Sequence, residues 1–369
     1  MVNAPVLPAY GGANVRGIMP ALMTPPSRRD LPSWFPTPLI GADQVVILVL
    51  DGLGWDQLQA HRHLAPNLAS MVGGPITTVV PSTTSTALTS IVTGLEPAEH
   101  GIVGYRIDLS GDVMNVLRWT TAAGDARRRH PPADVQPYPP FLGQNVTVVS
   151  KAELSNSAFT AAHLAGVRIS GWRVMSNISV HVSNCLAKDE QVVYAYYDGI
   201  DKVAHEHGFG PFYDSELILA DRLVGDIVGV LPPGAALGVI ADHGQVDVGP
   251  RHFPPAKSVL GLTRYQSGEG RFRWLHGRRG GEADLLAAAT EAHADVAWVV
   301  SKAQVIDEGW LGRQMAGPIA SRLGDVALVA RDDISFDEPA DSGPFELVCR
   351  HGSLTAAEMH VPFLGARRR

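Results

Sequence analysis

Carboxylate and imidazole side chains gather just beyond the most apolar runs of this chain. VVILVL (45–50) ends at Asp51-Gly52, VVYAYY (192–197) leads to Asp198 and Asp201, and LGVIA (237–241) ends in Asp242-His243-Gly244. Asp201 and His205 lie four residues apart, so on a helix they share one face, where a carboxylate oxygen beside an imidazole nitrogen suits a divalent cation. Alone, such a pair is more often a solvated surface pair. Neighbours such as Asp242 and His243 point to opposite faces within a strand, but a bend at Gly244 lets both reach one ion. A helix cap by Asp242 is the equal alternative, and a cap is also the plain reading of Asp51. His351 follows the apolar segment FELVC (345–349) and His360 lies near it, so either is a further ligand candidate.

A second kind of chemistry resides in PSTTSTALTSIVTGLEPAEHGI (81–102), where five consecutive hydroxyl residues, Ser82 to Thr86, precede a helical pattern. A helix starting there aims its free N–H groups and the positive end of its dipole at an anion. A threonine at that place is ordinarily an N-cap. Beside a metal ion, however, its hydroxyl loses a proton readily and can attack phosphorus.

These residues need a scaffold that brings distant segments together. Continuous β-branched and leucine runs signal strands buried on both faces of a parallel sheet, expected at 45–50, 146–149, 192–197 and 237–241. Helical patterns follow them, from Trp55 to about Val72, from about Lys151 to Ala165, and through Val230. The alternation predicts a doubly wound α/β fold, with a mainly parallel sheet and helices on both faces. Ligand sites in such sheets lie at the carboxyl ends of the strands, where Asp51, Asp198, Asp201 and Asp242 fall. Residues 1–369 read as one catalytic domain. The segment at about 250–325 has its own grammar, with a helix from Glu282 and a strand at 296–300, and is expected to be an inserted cap. Exposed Trp274 and Arg273 on that cap would set substrate choice.

The chain of 369 residues carries a formal net charge of −7, which offers no overall basic field for a nucleic acid polymer or an acidic membrane. Its start lacks the pattern of a secretory signal, and its longest apolar run is far too short to span a bilayer. The two cysteines, Cys185 and Cys349, form no disulfide framework and no metal-binding spacing, so a cytoplasmic location is expected.

Taken in order, VLDGLG, PSTTSTALTSIVTGLEPAEHGI, DGIDKVAH, ADHG and RHGSLTAAEMHVPFL resemble the alkaline phosphatase superfamily. The type I phosphodiesterase/nucleotide pyrophosphatase branch is the most similar, from about Val45 to Leu364. The resemblance implies an alkaline-phosphatase-like fold and two divalent ions, Zn²⁺ or Mn²⁺. Asp201, His205 and His351 match the ligands of one ion, and Asp51, Asp242 and His243 those of the other. Thr84 falls on the nucleophile, counted back from the IVTG element, and would meet both ions. His351 is preferred to His360 because a glycine follows it and the Met359–Phe363 stretch comes after. Asp201 is preferred to Asp198 by its distance to His205. Three aspartates would offset three of the four charges on the ions, leaving about one positive charge for a phosphodiester.

The implied activity is hydrolysis of a nucleotide phosphodiester, a small-molecule substrate, through a phospho-threonine. A phosphomonoesterase or phosphonate hydrolase of the same superfamily is the alternative. Two positions depart from the eukaryote-type pattern: Ala87 stands for an asparagine, and Ser85 for an aromatic beside the nucleophile. HGIVGYR, LRWT and ADHGQVDV are more similar to bacterial intracellular members, some of which cleave cyclic dinucleotides such as cyclic di-AMP.

Overall fold

The computed structural model describes residues 4–25, 30–341 and 346–368. Walking along the chain, β1 is Val45–Leu50, β2 is Val72–Thr77, α1 is Thr84–Thr93, β3 is Thr147–Lys151, β4 is Arg168–Trp172 and β5 is Val192–Tyr197. Then come α2 (Gly199–His207), α3 (Pro211–Val230), β6 (Ala236–Ile240), β7 (Thr263–Glu269), β8 (Phe272–Gly277), α4 (Glu282–His293), β9 (Ala297–Ser301), β10 (Val326–Ala330) and β11 (His360–Arg367).

The central sheet has seven strands in the order β2-β11-β6-β1-β5-β3-β4. β1 pairs in parallel with β6 and β5, and β3 pairs in parallel with β5 and β4. Only β11 runs against its neighbours, β6 and β2. The fold is therefore α/β with a mostly parallel sheet, as the alternating runs predict. All six residues of β1 are fully buried. Each such side chain contributes about 1.5–3 kcal/mol relative to exposure, which is why VVILVL can only be an interior strand.

The helices depart from the sequence expectations where proline or a local cap intervenes. The helix expected from Trp55 stops at Ala60, and a separate short one runs from Pro66 to Ser70. Pro66 lacks the N–H that would continue the first helix, and it fits the first turn of the second. Lys151 ends β3 instead of opening a helix. The helix that follows spans only Ala158–His163, because the Ser157 side chain accepts the Thr160 N–H and fixes the start there. The helical stretch to Val230 is two helices, broken at Gly208, with Pro211 opening α3. Of the FELVC strand, Phe345 lies outside the described residues, and only Cys349–Arg350 pairs, with Val246–Asp247. Arg369, in the C-terminal arginine run, also lies outside them.

Residues 263–330 build a second, antiparallel sheet in the order β7-β8-β10-β9. α4 packs on it through Leu285 and Ala289, against Leu275, Val326 and Leu328. Trp274 and Arg273 are not exposed: both are buried, because β8 is an interior strand covered on both faces. Arg273 donates to the Phe336 carbonyl and to Asp341. Residues 106–125, mixed in pattern, form a small four-stranded meander. Among the described residues, no helix is long and apolar enough to cross a membrane.

Candidate active site

β6, β1 and β5 are neighbours, so the residues that follow them emerge side by side at one sheet edge. Asp51 follows β1 directly, Asp242 stands two residues after β6, and Asp201 occupies the first turn of α2 after β5. Gly52 makes this convergence possible. Its φ is 75°, and a Cβ there would sit 2.5 Å from Gln245 Nε2 and 2.9 Å from Asp201 Cβ. Thr84 enters from the other direction as the first residue of α1, with extended Thr83 as N-cap. Its side chain points at the imidazole of His243, with Oγ1 3.0 Å from Nε2.

The sequence-derived candidates assemble in two overlapping groups. Asp201, His205 and His351 form one, with His205 Nε2 3.3 Å and His351 Nε2 3.9 Å from Asp201 Oδ1. Asp51, Asp201 and His243 form the other, with His243 Nε2 3.5 Å from Asp51 Oδ1. Asp242 stands at its edge, 3.4 Å from the same nitrogen. Stacking of His243 on His351, with ring centroids 3.6 Å apart, joins the two groups.

Donor chemistry within this cluster fits divalent cations. The Nδ1 atom of His205 lies 2.6 Å from the Cys349 carbonyl oxygen, that of His351 3.0 Å from the Ser82 carbonyl, and that of His243 3.0 Å from the Gly244 carbonyl. A carbonyl only accepts, so each Nδ1 carries the hydrogen and each Nε2 presents a lone pair inward. Asp51 Oδ1 and Asp242 Oδ2 are buried without a hydrogen-bond partner, which is costly for a carboxylate that holds no cation. Their second oxygens are held: Tyr196 Oη donates to Asp51 Oδ2, and the N–H groups of Gly52 and His243 donate to Asp242 Oδ1 at 3.1 Å.

Electrostatics agree with that picture. Burial, then the charges of Asp242 and Asp201, push the Asp51 carboxyl well above the usual range. Asp242 is raised as well, first by burial. Burial, His243 and His205 lower His351 far below an ordinary imidazole, keeping it neutral. Buried carboxyls driven upward and a histidine held neutral are what a cation reverses and uses.

Three other candidates lie elsewhere. Asp198 is held between Lys151 Nζ at 2.5 Å and Lys202 Nζ at 2.6 Å, and these cations outweigh its burial and keep its carboxyl below the usual range. His207 stacks on Phe212, and His360 opens β11 opposite Thr77. Ser85 is buried and donates to the Gly104 carbonyl at 3.0 Å, and Ala87 is buried.

Several site residues carry no signal in the sequence. Gln245 Nε2 donates to Asp201 Oδ1 at 2.9 Å, while Ser82 accepts the Gly352 N–H at 3.2 Å and so fixes the turn of His351. Glu269, from β7, packs under Gly352 and hydrogen-bonds Thr83, and burial pushes its carboxyl up to about 8. Beside Thr84, Asp51 and Asp201 opens a cavity of about 260 Å³, walled mainly by Leu88, Leu154, Phe159, Leu164, Tyr194 and Tyr196. No residue of 250–325 lines it.

Comparison with solved structures shows the same fold. Murine ectonucleotide pyrophosphatase/phosphodiesterase 5 is 17% identical, with 88% of this chain and 89% of that chain covered and a TM-score of 0.65. A variant of that murine protein with one threonine changed to alanine, described as inactive, is in complex with AMP. Phosphonoacetate hydrolase from Sinorhizobium meliloti 1021, in complex with phosphonoformate, is 19% identical, with 88% and 90% covered and a TM-score of 0.62. No curated protein matches the chain. The model of one family spans residues 45–354, from β1 past His351, and includes all seven residues of the cluster. With its metal-competent aspartates and histidines gathered at the strand ends, the chain belongs to the type I phosphodiesterase/nucleotide pyrophosphatase family, a family of metal-dependent hydrolases.

Proposed function

We propose that the protein hydrolyses a nucleotide phosphodiester in two displacements, with Thr84 as nucleophile. Asp201, His205 and His351 would hold one divalent ion, and Asp51, Asp242 and His243 a second. The observation that carries this reading is the place of Thr84 Oγ1, 3.0 Å from His243 Nε2, where the two ligand groups meet. When bound, Zn²⁺ or Mn²⁺ would supply Lewis-acid polarisation of the phosphoryl group and a lowered pKa for the threonine hydroxyl.

The chain's own residues do the rest. Thr84 Oγ gives up its proton and bonds to phosphorus, and the bond to the leaving alcohol breaks in line with it. The N–H groups in the first turn of α1 lack intrahelical partners and face the developing negative charge. Water then attacks the phospho-threonine, releasing a nucleotide monoester and restoring the hydroxyl. The cavity beside Thr84 shelters one apolar, ring-sized part of the substrate. The AMP held by the murine neighbour, and the short motifs of the cyclic-dinucleotide hydrolases, both support a nucleotide. Cyclic di-AMP is accordingly the first dinucleotide to test.

Rates measured side by side on bis-(p-nitrophenyl) phosphate, p-nitrophenyl phosphate, phosphonoacetate and a dinucleotide panel test the assignment. The diesters should be turned over fastest. Dominant turnover of the monoester or of phosphonoacetate refutes the diesterase reading.

A further inference from the structure

We propose that Lys202 and Lys151, paired across Asp198, form a recognition site for a second phosphate group of the substrate, separate from the one attacked. The proposal rests on the diesterase reading above. Lys202 and Asp198 line the same cavity as Thr84, Asp51 and Asp201, so whatever enters for reaction passes these charges. The cavity, about 260 Å³, is at the small end for a ligand site and holds a single ring-sized moiety. The remainder of a dinucleotide must extend toward the opening, where the Lys202 side chain is 60% exposed.

The charge count sets this cluster apart from an ordinary ion pair. Asp198 Oδ1 lies 2.5 Å from Lys151 Nζ, and Oδ2 lies 2.6 Å from Lys202 Nζ. One ammonium group balances the carboxylate and the other is surplus, so the cluster carries a net positive charge. Asp201, the next residue to Lys202, is committed to the metal cluster and is not available to offset it. Lys151 is half-buried and anchored, with Nζ 5.4 Å from the centroid of the Trp172 ring. Lys202 is the mobile partner. An exposed Lys–Asp pair is worth little, so Lys202 can turn to a phosphate at small cost, and an ammonium is a point-charge phosphate binder. Diesters with a second phosphate, either linear dinucleotides with a terminal phosphate or cyclic dinucleotides, are the class this arrangement favours.

The test compares one dinucleoside monophosphate with the same compound phosphorylated at its 5′ end or at its 3′ end, beside bis-(p-nitrophenyl) phosphate. One phosphorylated form should show a kcat/KM about tenfold above the unphosphorylated parent, the effect of one charge-assisted hydrogen bond. Lys202→Met and Lys151→Met should each erase that ratio, and Lys202→Arg should keep it. A merely structural role would lower all the substrates together and leave the ratio intact. Equal kcat/KM for all three dinucleotides, or a ratio that survives both methionine variants, overturns the proposal alone. Absence of any hydrolysis, including that of bis-(p-nitrophenyl) phosphate, removes the diesterase reading and this proposal with it.

Discussion

Replacing Thr84 by alanine separates a nucleophile from a helix-start residue, because the two roles predict different losses. Thr84 is the first residue of α1, and the cap position belongs to Thr83, so the substitution removes no cap. It deletes one buried hydroxyl contact, to His243 Nε2, worth about 1 kcal/mol. Alanine recovers about half of that through its higher helix propensity. Net destabilisation should stay below about 1 kcal/mol, a change of about 2 °C or less in Tm. Turnover should instead fall by about 10⁴-fold or more, the scale seen when a covalent nucleophile is lost. Thr84→Ser keeps the oxygen and should retain part of the activity. The assay is kcat on bis-(p-nitrophenyl) phosphate, with metal content measured on the same samples and Tm by calorimetry. Stereochemistry adds an independent readout: two in-line displacements convert a chiral phosphorothioate diester with net retention. A Thr84→Ala protein with full metal content and more than about a tenth of wild-type kcat refutes the assignment, as does net inversion.

Metal removal should act on stability in a pH-dependent way. Asp51 and Asp242 have carboxyls raised in the folded state, so in the chelated protein their stabilising contribution is full below the unfolded-state carboxylate range and is lost as pH rises through the raised values. The EDTA-treated enzyme should therefore be inactive and lose Tm from pH 5 to pH 8, with Mn²⁺ or Zn²⁺ restoring both properties. A chelated enzyme with full activity and metal content near zero contradicts the metal assignment. Among single substitutions, Asp201→Asn, His205→Ala and His351→Ala should each cost orders of magnitude in rate, whereas His207→Ala and His360→Ala should cost little. A dead His360→Ala beside an active His351→Ala would reassign the third histidine. Glu358→Gln should destabilise by about 3–5 kcal/mol in urea unfolding, since it leaves the fully buried Arg271 without its carboxylate partner at 2.7 Å. A change below about 1 kcal/mol would show that this pair bears no such weight.

What the sequence discloses about this molecule follows from how few ways each signal can be read. VVILVL admits only an interior parallel strand, and the residues after it can only emerge at the sheet edge, so Asp51, Asp201 and Asp242 were legible together. The cavity walls were not. Leu88, Leu154, Phe159 and Tyr194 are apolar residues like those of the core, and only the tertiary fold shows which of them face a void. Gln245 and Ser82 were hidden for a related reason, since a polar residue near a motif gives no hint of which backbone or carboxylate it will meet.

The segment about 250–325 shows the converse: its strand and helix were legible, but its relation to the site was not. An arginine and a tryptophan in a loop-like stretch suggest an exposed lid, yet the pairing of β8 with β7 and β10 puts both inside. What this sheet reaches is the turn that carries His351. Arg271, ahead of β8, grips Glu358, and Glu358 accepts the Ser353 N–H at 2.9 Å. Ser353 accepts through its carbonyl from Ser82 Oγ at 2.6 Å, and the Ser82 carbonyl in turn lies 3.0 Å from His351 Nδ1. A chain of buried, satisfied hydrogen bonds thus runs from the second sheet to one imidazole. Residues far from the cavity can therefore govern the geometry of the site without lining it.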